Sequence, residues 1–170
     1  MRLFRWFIVL LLAALAGSTL LPRWLPPEMR PDMFLMMALF AAMRAERHEA
    51  PALAWAAGLA KDLLSAGPLG EYALLYLLLG VLVLWLRGFM DTYVPLTQAI
   101  LGGAAFALTE GAYGLLLCLA RSGSLQTGTA AMLLTASIVN AIAAVLFMRL
   151  MDSREKWLGT KRRFNPLARP

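Results

Sequence analysis

The sequence predicts an all-α integral membrane protein, built as a bundle of six transmembrane helices. Three observations predict it. Of 170 residues, 61% are apolar and only 15% are charged, where a soluble domain carries about a quarter. The mean hydropathy is +0.68. The apolar residues also fall into six runs parted by proline, glycine or charge. A crossing takes about 20 residues, so six use roughly 120. What is left is short loops and one tail, with no room for a nucleotide-binding, globular extracytoplasmic or soluble catalytic domain. The expected organisation is one transmembrane domain over 1–150 and a basic cytoplasmic tail over 151–170.

The first run, Leu3 to Leu21, lies behind Arg2 and Arg5. Ala14-Leu15-Ala16 resembles a signal-peptide cleavage site, but the run is long enough to span, and more membrane segments follow. It reads as a retained first helix. A proline-rich loop, Arg23 to Arg30, comes next. Pro31 suits the first position of a second helix, and Asp32 its first turn, where a carboxylate meets the positive helix end. This segment is apolar only from Met33 to Met43, so it spans if Arg44 and Arg47 snorkel to the surface. The third segment runs from Pro51 to Ser65, and Gly67-Pro68 makes the turn after it. Leu69–Leu86, Val94–Ala120 and Leu125–Leu150 are the fourth, fifth and sixth. Segments two and three are short enough to form a tilted or partly re-entrant hairpin.

Orientation follows from the distribution of Lys and Arg. With the N-terminus inside, the inner side holds Arg2, Arg5, Arg44, Arg47, Arg87, Arg149, Arg154, Lys156, Lys161, Arg162, Arg163 and Arg169, twelve in all. The outer side holds only Arg23, Arg30 and Arg121, and Lys61 lies within the third segment. Both termini are therefore expected in the cytoplasm.

That orientation gathers four acids in the outer half: Asp32, Asp62, Glu71 and Glu110. Ionisable groups within spans usually pair or face a polar cavity. Asp32 and Glu71 begin helices, where a carboxylate is favourable without any function. Asp62 ends a helix, the wrong polarity for that explanation, and Lys61 is too close in sequence to share its face. It is expected to have a specific structural or binding partner. Glu110, between Thr109 and Gly111, is interfacial if its helix ends early. Asn140 lies mid-helix with Ala136 and Ala144 on its face, a pattern that permits close helix approach and an interhelical amide bond. Gly102 and Gly103, Ala57 and Gly58, and Ala13 and Gly17 read similarly as packing sites. The tail residues Arg154, Lys156, Lys161, Arg162, Arg163 and Arg169 against Glu155 give +5. Such a cluster binds anionic lipid headgroups at about 1 kcal/mol per residue, with Trp157 and Phe164 at the interface. The positive-inside bias already accounts for these charges, so nucleic acid is not expected as a partner.

Catalytic chemistry finds little footing. Cys118 and His48 are the only residues of their kinds, too few for a disulfide or a Cys/His zinc site. The chain has no GxxxxGK[ST], HExxH or GxSxG. Paired carboxylates alone, without nucleophile, metal or cofactor, name no reaction. No enzyme activity, cofactor or metal is expected.

Pro31-Asp32 and the stretch Gly58-Leu59-Ala60-Lys61-Asp62-Leu63-Leu64-Ser65-Ala66-Gly67-Pro68-Leu69-Gly70 resemble the rod shape-determining protein MreD family. The likeness lies in a proline-aspartate opening to the second span and a G-x-x-x-D-L-L-S-x-x-P-L-G-like close to the third. Its specific part is residues 31–80. Lys61 departs from the pattern, where a neutral residue is expected before the aspartate. The resemblance implies a non-enzymatic inner-membrane component of the bacterial elongation machinery. Its partners would be the single-span MreC and the actin-like MreB filament, and indirectly the RodA glycosyltransferase and the elongation-specific transpeptidase of peptidoglycan synthesis. It also implies a fold similar to the S-components of energy-coupling-factor transporters.

Two readings follow. In the first the chain is a scaffold, binding an MreC-like partner and linking wall synthases to the cytoskeleton. In the second it is a small-solute-binding subunit of a transporter, holding a polar or cationic ligand on Asp62, Glu71 and Glu110.

Overall fold

Every element among the described residues is helical. The computed structural model describes residues 29–65, 67–121 and 130–153, together with 6, 8, 9, 11, 12, 15, 17, 19 and 21–26. The helices are α1 (Leu21–Trp24), α2 (Met33–Arg44), α3 (Ala50–Leu64), α4 (Glu71–Leu86), α5 (Pro95–Arg121) and α6 (Ala130–Asp152). The tail candidates Arg154, Lys156, Lys161, Arg162 and Arg163 lie outside the described residues, as do Arg169, Trp157 and Phe164.

The core is built around α2. Its 12 residues are Met, Phe, Leu, Ala and a closing Arg, and all from Phe34 to Arg44 are buried. At 1.5 Å per residue it is about 18 Å long, short of the roughly 30 Å hydrocarbon layer. A helix enclosed on every side by protein need match only its neighbours, which is why so short an apolar segment is stable here. Trp6 packs on it at the Phe40 ring, centroids 5.5 Å apart. Gly17 faces Met33 near its other end. The described part of the first apolar run thus lies along the core helix.

Both ends of α2 are satisfied by side chains. Asp32 Oδ1 accepts the N–H groups of Phe34 and Leu35, each at 3.0 Å. At the other end the Arg87 guanidinium, just past α4, donates to the carbonyls of Ala42 (3.1 Å) and Ala45 (2.9 Å). The free amides and carbonyls of a buried helix need such partners.

Arg44 corrects an expectation. It does not snorkel: it is 6% exposed. Its guanidinium donates to Asp152 at 2.8 and 3.0 Å, to the Thr92 hydroxyl at 2.9 Å and to the Thr92 carbonyl at 3.2 Å. It also lies 3.8 Å from the Tyr93 ring centroid. A guanidinium with this many fixed partners gains more by staying than by reaching for water. The contact ties the ends of α2 and α6 to the loop before α5.

Backbones approach closely at two seams. A Cβ on Gly58 of α3 would stand 2.4 Å from the Tyr72 carbonyl oxygen of α4. One on Gly102 of α5 would stand 2.4 Å from the Ala144 Cβ of α6. Among the described residues, only α5 and α6 contain segments long and apolar enough to cross a membrane, Pro95–Leu116 and Ala131–Asp152; α2 and α4 are shorter apolar helices. Outward faces are apolar as well: Leu74, Leu78, Val81 and Trp85 on α4, and Leu134, Ile138, Ile142 and Leu146 on α6 are exposed. Stripes at three- and four-residue spacing suit lipid or a partner helix.

The boundaries shift by a few residues from those expected. Leu69 and Gly70 belong to the turn before α4, α6 runs on to Asp152, and the expected start of the sixth segment at Leu125 lies outside the described residues. The reason at α4 is Gly70, whose φ of 101° is the left-handed conformation that glycine adopts without strain.

Candidate functional site

At the Asp32 end of α2, charged side chains from three helices meet. The Lys61 ammonium, in the last turn of α3, donates to Asp32 Oδ2 at 2.6 Å and to Glu110 Oε1 of α5 at 3.0 Å. Its third bond goes to the Tyr76 hydroxyl of α4 at 3.2 Å. That hydroxyl in turn donates to Asp32 Oδ2 at 2.5 Å. The Tyr72 hydroxyl donates to both oxygens of Glu110 at 3.2 Å, and the Lys61 ammonium sits 3.6 Å from the Tyr72 ring centroid. Tyr113 stacks on that ring at 4.5 Å.

The group is mostly shielded from water. Side-chain exposures are 9% for Asp32, 18% for Lys61 and 27% for Glu110. Two carboxylates and one ammonium leave a formal charge of −1, softened by two phenol donors. An ion pair so buried is stable only when its remaining donors and acceptors are satisfied, and here they are. Asp32 divides its work, one oxygen capping α2 and the other holding Lys61 and Tyr76. Its own N–H donates to Asn140 Oδ1 at 3.0 Å. Asn140 is fully buried on α6 and returns its amide to the Ala136 carbonyl at 2.9 Å. The residue expected to bond across helices therefore does so.

Asp62 stands apart from this network, although it is next to Lys61. It is 1% exposed, and its partner is a helix end. Oδ2 accepts from Gly70 (3.1 Å) and Ala73 (2.9 Å), and Oδ1 from Tyr72 (3.1 Å). Glycine at the N-cap position of α4 offers no side chain to its first amides, and Asp62 supplies one from α3. The polarity that makes Asp62 unfavourable for its own helix is favourable for the next.

Glu71 and Glu110 complete the four acids. Glu71 is the first residue of α4, and its buried Oε2 has no hydrogen bond among the described residues. Glu110 is not at a helix end, since α5 continues to Arg121. Only Asp32 and Glu110 are joined, and the residue joining them is Lys61. Sequence reasoning treated Lys61 as a departure and passed over Tyr72 and Tyr76. A signal was present: Tyr72 and Tyr76 lie four residues apart, on one face of α4. Among the described residues, no three His, Cys, Asp or Glu side chains gather as a metal site requires.

The family model described as rod shape-determining protein MreD matches residues 1–154. No curated protein and no solved structure matches the chain.

Proposed function

This chain belongs to the rod shape-determining protein MreD family, membrane proteins of the system that determines rod shape, and from that premise we propose that it acts as a non-enzymatic scaffold. In this reading it spans the cytoplasmic membrane six times with both termini inside. It binds an MreC-like single-span partner and connects wall synthases to the MreB filament, while its basic tail engages anionic lipid.

The family match over residues 1–154 carries the reading. The geometry supports it in two ways. Asp32, Lys61 and Glu110 satisfy one another within the chain, as a structural brace does. Exposed apolar stripes on α4 and α6 offer surface to a partner's membrane helix. The solute-binding reading has less support, because the Lys61 ammonium already fills the position a cationic solute would take.

The part of the polar end in this role is tested by replacing the native copy with Glu110→Gln and with Asp62→Asn, abundance being followed by immunoblot. The scaffold reading expects at least one variant, at normal abundance, to lose partner co-purification and round the cells. If both variants keep assembly and rod shape, the polar end plays no part in binding.

A further inference from the structure

The Lys61 ammonium is surrounded by the groups that bind a free alkylammonium ion. Its three N–H bonds point to Asp32 Oδ2, Glu110 Oε1 and the Tyr76 hydroxyl, at 2.6, 3.0 and 3.2 Å. The Tyr72 ring lies 3.6 Å away, and the Tyr76 ring centroid 5.5 Å away. Carboxylates supply charge, the phenol an acceptor lone pair, and the ring face a cation–π contact.

These groups are held by contacts that do not involve the lysine. Asp32 is fixed by the Phe34 and Leu35 amides. Tyr76 is fully buried and bonded to Asp32. Tyr72 is stacked on Tyr113, and its hydroxyl bridges both oxygens of Glu110. A site fixed before its ligand arrives loses little on binding it. We propose that Asp32, Tyr72, Tyr76 and Glu110 form a binding site for a primary ammonium ion, occupied in this chain by the covalently tethered Lys61. Cutting the side chain back opens the site to free alkylammonium ions. In the native chain the tether gives Lys61 a high effective concentration, so free amines do not compete. The inference rests on this geometry and not on the scaffold reading.

The test is thermal unfolding of the purified full-length chain in detergent, comparing native protein with Lys61→Ala and Lys61→Met. The probe is n-propylammonium chloride, which replaces the side chain from Cγ to Nζ. Tetramethylammonium chloride at equal concentration, which has no N–H to donate, is the control. The Tm of Lys61→Ala is expected to rise by about 2–4 °C at roughly fivefold excess over the ion's Kd. The native chain should not respond, nor should Lys61→Met, whose side chain fills the space. A flat Lys61→Ala, or an equal response to tetramethylammonium, overturns the proposal. Where Lys61→Ala is not recovered folded in plain detergent, solubilisation with n-propylammonium present decides. Recovery with the ion supports the site, and failure both with and without it counts against.

Discussion

Lys61 and Asp62 are neighbours in sequence and serve different helices. One ammonium links α2 to α5, and one carboxylate caps α4. The sequence signalled that Asp62 needs a partner, because a carboxylate at a helix C-terminus opposes the dipole. It did not indicate which partner, since the answer is a set of backbone amides eight to eleven residues further on. Lys61 was harder still to read: its contacts lie 29 and 49 residues away, and no local spacing encodes them. Arg44 misled for the opposite reason, because a long cation near a helix end usually reaches water, and only the fold places Asp152 and Thr92 beside it. The capping role makes a prediction at this scale. Asp62→Ala leaves three backbone amides, two of them buried, without this acceptor, and should lower stability by about 2–4 kcal/mol. Asp62→Asn, which keeps a carbonyl oxygen, should lower it less. Chemical unfolding in detergent measures both, and equal stability of Asp62→Ala and the native chain would refute the cap.

The elements were more legible than their surroundings. Apolar runs bounded by proline and glycine located α2 to α5 within a few residues. Small-residue pairs at Ala57-Gly58 and Gly102-Gly103 marked the seams where helices meet. What composition cannot distinguish is a helix sheathed in protein from one facing lipid, since both are uniformly apolar. That is why the enclosure of α2 emerges only from the fold. The seams distinguish glycines that matter from those that do not. Gly58→Ala places a methyl group against the α4 backbone and should cost about 1–3 kcal/mol, outweighing any helix-propensity gain. Gly111→Ala, on α5 with nothing within 4 Å of the added carbon, should be neutral or stabilise by up to about 1 kcal/mol. Thermal unfolding of the two variants side by side checks the pair, and similar behaviour would mean that the α3–α4 seam is not as close as described.

For the whole molecule, the internal braces have a common effect. Asp32 and Asn140 tie α2 to α6, Lys61 ties α2 to α3 and α5, Asp62 ties α3 to α4, and Arg44 ties the far end of α2 to α6. These polar side chains are bonded inside the bundle, and apolar stripes on α4 and α6 face outward. In the proposed scaffold, such a body would hold other membrane proteins in place. The proposed scaffold works by binding a partner. Affinity purification of the tagged chain from native membranes, with mass spectrometry of what remains bound, tests it most directly. A scaffold gives stoichiometric recovery of a single-span, MreC-like protein, with wall synthases in lesser amount. Recovery of an ATPase pair with a shared transmembrane coupling subunit, and no such partner, would contradict it.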